Sequence, residues 1–309
     1  MRVIFMGTPD FAVPSLEALL TKHEVVLVVT QPDKPKGRGK KMVPTPVKAC
    51  ALEHGIPVLQ PEKVKEPKFV EQLRSYEPDL IAVTAFGQIL SEPILEMPKY
   101  GCINVHGSLL PKYRGAAPMQ WSIIDGEKVT GITTMYMAKG LDSGDMLLKA
   151  EVEITDEDTF ATIHDKMAVT GANLLLDTLD QLEAGTLERI PQDHDAATYA
   201  PMITKETGHI DWSKNRQDII NLIRGLNPVP AAYTIYEEEV LKIFGAVISD
   251  VQADDAANGE IVAVVKKGFV VKCGDGCLLI TEVQARGGKR MMTDAYLRGH
   301  AMKEGILLQ

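Results

Sequence analysis

Four runs constrain this chain most: RVIFMG at 2–7, EVVLVVT at 24–30, DLIAVTA at 79–85 and GCINV at 101–105. Each is apolar at consecutive positions, not alternate ones, so each strand must be covered on both faces. Helical periodicity lies between them, through Leu16, Leu19 and Leu20, across Val47–Glu53 and across Pro67–Ser75, with a shorter strand over Ile56–Leu59. Buried strands alternating with helices specify an α/β domain with a doubly wound, Rossmann-like and mostly parallel sheet. Two further strands, 131–137 and 146–154, flank a turn rich in Gly and Asp. A long helix then spans Asp158–Glu183, with Asp158 as N-cap, an apolar stripe from Ile163 to Leu182, and Gly185 as stop.

After this helix the pattern turns polar. The boundaries read as a first domain at 1–188, a linker at 189–207 and a second domain at 208–309. The second domain opens with a short helix near 217–225 and continues as short strands with brief turns: 232–236, 240–244, 261–265, 268–273 and 277–283. That spacing predicts a smaller C-terminal β-barrel of the OB kind, with a last helix near Thr293. The length of 309 residues fits two domains of roughly 100–200 residues each. Four scattered cysteines make no disulfide framework, and no run approaches the about 18 apolar residues of a spanning helix. The opening MRVIFMGTPDF carries no secretory pattern. A monomeric, cytoplasmic protein without membrane attachment is expected.

The first strand-to-helix turn, Gly7-Thr8-Pro9-Asp10-Phe11, is neither G-x-G-x-x-G nor a P-loop. It reads as a structural turn or as a backbone contact to a ligand. More informative is Asn104-Val105-His106-Gly107-Ser108, which ends the fourth strand. Ligands of open α/β sheets bind beyond the carboxyl ends of strands. Asn104 and His106, two apart, leave one face of the strand and offer an amide donor beside an imidazole that titrates near neutrality. The turn Gly140-Leu141-Asp142-Ser143-Gly144-Asp145 holds two acids, either of which could orient that imidazole for acid–base work. Cys273-Gly-Asp-Gly-Cys277 reads as a hairpin turn, and no metal site is expected there or elsewhere.

The net charge of −9 argues against general capture of nucleic acid. Yet residues 33–48, DKPKGRGKKMVPTPVK, carry six cations against Asp33, a local net of +5. Without apolar periodicity, this segment reads as a solvated loop or as a mobile arm for a polyanion.

Together these residues resemble the methionyl-tRNA formyltransferases over nearly the whole chain. The stretch INVHGSLLPKYRGAAP at 103–118 is specific for formyl-folate transferases and hydrolases as a group. The basic segment and Asn227-Pro-Val-Pro-Ala231 narrow the likeness, while Gln284–Arg290 is basic but more loosely patterned than in that family. The resemblance implies formyl transfer from 10-formyltetrahydrofolate to methionyl-initiator-tRNA. It implies catalytic roles for Asn104, His106 and Asp142, and folate contacts from Ser108, Leu109, Leu110 and Pro111. It implies tRNA contacts from Lys34, Lys36, Arg38, Lys40 and Lys41, and a C-terminal barrel that holds the acceptor stem. Such a transfer passes through a tetrahedral oxyanion, to which Asn104 and His106 would donate, while Asp142 would hold His106 or a water and take up a proton.

Overall fold

A computed structural model of the chain describes residues 1–36 and 41–309. It divides into two compact units. One comprises Met1–Pro118, Thr130–Glu153 and His164–Ala200; the other comprises Met119–Val129, Ile154–Ile163 and Pro201–Gln309.

In chain order the elements up to residue 200 are β1 (Arg2–Gly7), α1 (Val13–Leu20), β2 (Glu24–Val29), β3 (Lys34–Lys36), β4 (Lys41–Val43), α2 (Pro46–Glu53), β5 (Val58–Leu59), α3 (Pro67–Arg74), β6 (Leu80–Thr84), α4 (Glu92–Leu95), β7 (Cys102–His106), β8 (Arg114–Gly115), α5 (Pro118–Ile124), β9 (Val129–Tyr136), β10 (Met146–Glu153), α6 (Phe160–Ala184) and β11 (Tyr199–Ala200). Seven strands form the main sheet of the first unit in the order β10-β9-β7-β6-β1-β2-β5. β7, β6, β1, β2 and β5 run parallel, and β9 joins β7 antiparallel. The apolar runs form the central strands as expected: β6 is buried at every position and β1 at every position after Arg2. The chain winds outward from β1 to β2 and β5, then returns to the other side as β6. Such a reversal opens a crevice at the carboxyl ends of the strands. Here Gly7 lets β1 approach β6 closely, since a Cβ would stand 2.9 Å from the Thr84 carbonyl oxygen. Thr8 Oγ1 donates to the Phe86 carbonyl across the same gap. The first turn is thus tied into the sheet by its own side chain.

Two short ladders were not legible in the sequence. β3 and β4 pair antiparallel, so Lys34–Lys36 and Lys41–Val43 form a short hairpin ladder within the segment read as a solvated loop or a mobile arm. β8 pairs with β11 in parallel. Residues 189–200, read from the sequence as part of the linker, belong to the first unit, where Ile190 also bridges Met146. The long helix begins at Phe160, two residues later than expected. Asp158 stands at its entrance and accepts hydrogen bonds from Thr155 N–H, Thr155 Oγ1 and Thr162 Oγ1.

From residue 201 onward the elements are α7 (Arg216–Gly225), β12 (Ala232–Tyr236), β13 (Glu239–Ser249), β14 (Ile261–Val265), β15 (Gly268–Cys273), β16 (Gly276–Ala285), β17 (Met291–Met292) and α8 (Thr293–Leu297). An antiparallel sheet runs β12-β13-β16-β15-β14, with β17 added to β16. Gly274 and Asp275 form the β15–β16 turn, with Cys273 opposite Gly276. The last residues close this sheet. Ile235 and Gln309 exchange backbone hydrogen bonds in both directions, while Gly305 and Leu308 donate to Ile261 and Gly259, and Ile261 donates to Ile306. The tail therefore covers both edge strands, β12 and β14, which would otherwise present unpaired backbone groups. The core inside includes Trp212, Leu241, Ile243, Phe269, Val271 and Ile280, and the buried Trp212 indole donates to Thr234 Oγ1.

Candidate active site

β7 delivers two polar side chains from an apolar strand. Of its five residues only Asn104 is partly exposed, and His106 closes the strand at 5% exposure. Beyond it the chain folds tightly over Ser108–Lys112. Ser108 Oγ donates to the Lys112 carbonyl, Thr133 Oγ1 donates to the Ser108 carbonyl and accepts from Leu110 N–H, and Lys149 Nζ reaches the Leu110 carbonyl at 2.5 Å. The chain then returns as Tyr113-Arg114-Gly115, where β8 pairs with β11.

That return fixes the imidazole. His106 Nε2 lies 3.0 Å from the Tyr113 carbonyl oxygen. A carbonyl only accepts, so Nε2 carries the hydrogen, and in the neutral ring the lone pair sits on Nδ1. Nδ1 faces Asp142, with 3.8 Å to Oδ2. The same Oδ2 accepts from Gly115 N–H at 2.8 Å. Of the two acids in this turn, Asp142, the one implied by the resemblance, approaches His106, while Asp145 pairs with Arg189 at 2.9 Å. The gap of 3.8 Å is too long for a direct hydrogen bond.

The sequence reading missed two side chains here. Arg114 and Gln192 are 3% and 6% exposed, and Gln192 Oε1 accepts from Arg114 Nε at 3.0 Å and Nη2 at 2.7 Å. Gln192 Nε2 in turn donates to the carbonyls of Asp142 and Gly144. Arg114 carried a signal, being a charge inside the stretch that follows the fourth strand. Gln192 sits among polar residues and carried none.

The four residues expected to touch folate divide by burial. Ser108 and Leu110 are fully buried, with polar atoms bonded to Lys112, Thr133 and Lys149; Leu109 and Pro111 are partly exposed. Leu109 and Pro111 thus have side chains open to a ligand, and Ser108 and Leu110 shape the loop. The edge presents partly exposed Leu109 and Pro111 together with the side chains of Asn104, His106 and Asp142. Among the described residues, no group of His, Cys, Asp or Glu is arranged to hold a metal ion.

At the basic segment, Lys48 Nζ donates to Asp33 Oδ2 at 2.6 Å and to Gln60 Oε1 at 2.7 Å, and Gln60 Nε2 returns a bond to Asp33 Oδ1. These bonds, from Lys48 first, hold the Asp33 carboxyl below its usual range. Asp33 and Lys48 cancel at the stem, so the net +5 belongs to Lys34, Lys36, Arg38, Lys40 and Lys41. Lys34, Lys36 and Lys41 lie on the two strands of the hairpin; Arg38 and Lys40 fall outside the described residues.

Comparison with known proteins identifies the family. The Formyl transferase family model matches residues 1–179, and the model Formyl transferase, C-terminal domain, matches 202–301. A methionyl-tRNA formyltransferase of Acetivibrio thermocellus is 53% identical over 309 residues, covering 100% of this chain and 99% of the relative. One from Ruminiclostridium cellulolyticum is 55% identical, covering 99% and 98%. The chain belongs to the methionyl-tRNA formyltransferase family. A solved N-formyltransferase from Helicobacter canadensis, in complex with folinic acid and dTDP-3-aminofucose, shares the fold. It superposes with a TM-score of 0.66 at 19% identity and covers 94% of this chain and 100% of its own. The formyltransferase fold thus accounts for both family-model matches, one on the parallel sheet and one on the antiparallel domain.

Proposed function

We propose that this chain transfers the formyl group of 10-formyltetrahydrofolate to the α-amino group of methionyl-initiator-tRNA, with Asn104, His106 and Asp142 around the reacting carbon. The observation that carries the reading is buried His106 with partly exposed Asp142 3.8 Å from its Nδ1 and half-buried Asn104 two residues before it, at the carboxyl edge of a parallel sheet in a chain of this family. On this reading residues 1–188 perform the chemistry. The domain from 208 onward and the basic hairpin hold the acceptor-stem end of the tRNA, and the enzyme works as a cytoplasmic monomer.

The folate co-substrate supplies an electrophilic formyl carbon and, in N10, a leaving group. The attacking α-amine must be neutral, and such groups titrate near ~7.7–8.0, so a useful fraction is ready without a strong base. Asn104 donates its amide N–H to the carbonyl oxygen as charge gathers there. His106 Nδ1, its lone pair aimed toward Asp142, takes the proton that the amine loses as its bond to carbon forms. The Asp142 carboxylate stabilises the resulting imidazolium. His106 then returns the proton to N10 as the carbon–N10 bond breaks. One carbon–nitrogen bond replaces another, and one proton has moved from amine to N10. No side chain becomes acylated. Burial raises the thiols of all four cysteines, Cys102 to about 12, so none is a ready nucleophile at neutral pH.

The test supplies the formyl donor with initiator methionyl-tRNA, elongator methionyl-tRNA or water, and follows formyl transfer. Rapid formylation of the initiator species alone is expected. Equal consumption of the donor without tRNA would instead describe a hydrolase.

A further inference from the structure

Asp142 has a left-handed backbone, with φ of +45°, a region that residues other than glycine rarely occupy although aspartate tolerates it better than most. Two residues on, Gly144 is packed so closely that a Cβ would fall 1.8 Å from the Tyr136 carbonyl oxygen. A loop with two such positions keeps its shape only if the surroundings hold it.

One side chain grips both positions. Gln192 Nε2 donates to the Asp142 carbonyl at 2.8 Å and to the Gly144 carbonyl at 2.7 Å, which uses both of its hydrogens. Its Oε1 takes two bonds from Arg114, which is buried; Arg114 Nη2 also lies 3.0 Å from His194 Nδ1. A buried guanidinium and a buried amide are costly unless paired, and here each satisfies the other. Arg114 stands between Tyr113, whose carbonyl holds His106, and Gly115, whose N–H holds the Asp142 carboxylate. Three consecutive residues and one glutamine therefore set the imidazole, the carboxylate and the backbone that carries the carboxylate.

We propose that Gln192, braced by Arg114, is a positioning residue that fixes Asp142 at its working distance from His106 and so sets the rate of the chemical step. The claim rests on the reading that His106 and Asp142 act in formyl transfer. Gln192→Glu tests it, because the glutamate keeps an acceptor for Arg114 but replaces the doubly donating nitrogen with oxygen. Gln192→Met removes both donors without adding charge.

The experiment measures kcat, KM for the formyl donor and for initiator methionyl-tRNA, and thermal melting of each variant. A misplacement of about 1 Å costs on the order of 10² in rate. Both variants should therefore lose about 10- to 100-fold in kcat while both KM values stay within about twofold and the protein remains folded at the assay temperature. Wild-type kcat in either folded variant overturns the proposal. So does a raised KM at unchanged kcat, or a loss that the unfolded fraction accounts for. Asp142→Ala in the same series separates the two claims. If it turns over normally, the catalytic reading itself falls; if it is inactive while Gln192→Glu is normal, only the positioning role falls.

Discussion

His106 was legible as a candidate because a titratable side chain ended a buried strand with an amide two residues before it, where the fold leaves an open edge. Position alone narrowed the partner acid to one turn, the resemblance implied Asp142, and in the structure Asp142 is the acid that lies 3.8 Å from Nδ1. Gln192 was illegible for a physical reason: its partner Arg114 is 78 residues away, and a glutamine in a polar stretch has no pattern that separates buried from solvated. His23 is another residue whose state only the fold reveals. It is 9% exposed, and neither buried ring nitrogen finds a partner among the described residues. Burial pushes its pKa below the usual 6.5. The N-terminal ammonium and Lys22 push the same way, against Glu183 and Asp180. The native state thus binds this proton less readily than the unfolded chain, so the contribution of His23 is full above about pH 6.5 and is lost as the pH falls below it. In denaturant titrations at pH 7.5 and 5.5, His23→Leu should narrow the difference between the two midpoints. An undiminished difference would place the acid sensitivity elsewhere.

Among elements, the long apolar strands and the α6 stripe were readable from periodicity, and their observed bounds fall within a few residues of expectation. The short ladders were not. β3 contains Lys-Pro-Lys, residues poorly suited to strands; among the described residues it pairs with β4 alone, next to the bonds that tie Asp33, Lys48 and Gln60. β8 and β11 are two residues each, below any periodic signal. The tail at 305–309, about which the sequence reading made no statement, closes the second sheet. The hairpin supports a prediction of its own. Neutralising Lys34, Lys36, Arg38, Lys40 and Lys41 together should raise KM for charged tRNA and flatten its salt dependence, by about one in slope for each phosphate that no longer meets a cation, leaving KM for the formyl donor unchanged. Equal losses for both substrates in steady-state assays across a salt series would make the hairpin structural.

On the scale of the whole molecule, a net charge of −9 with a local +5 at residues 33–48 is the distribution that the proposed function requires, local recognition of a polyanion without general attraction. Its α/β class followed from the uninterrupted strands, and its antiparallel second domain from closely spaced short ones. The order of strands in each sheet, including the antiparallel turn at β9, came only from the coordinates, because pairing between distant segments leaves no mark in local sequence. All of this serves one claim: that Asn104 and His106, completed by Asp142, stabilise and relay charge during formyl transfer. The most direct measurement is the turnover of folded Asn104→Ala and His106→Ala with the formyl donor and initiator methionyl-tRNA both saturating. Loss of one oxyanion donor typically costs about 10²–10³ in rate and loss of a general acid–base about 10²–10⁴, so kcat should fall by at least about 10² in each variant. Turnover near that of the unaltered enzyme in either one would contradict the assignment.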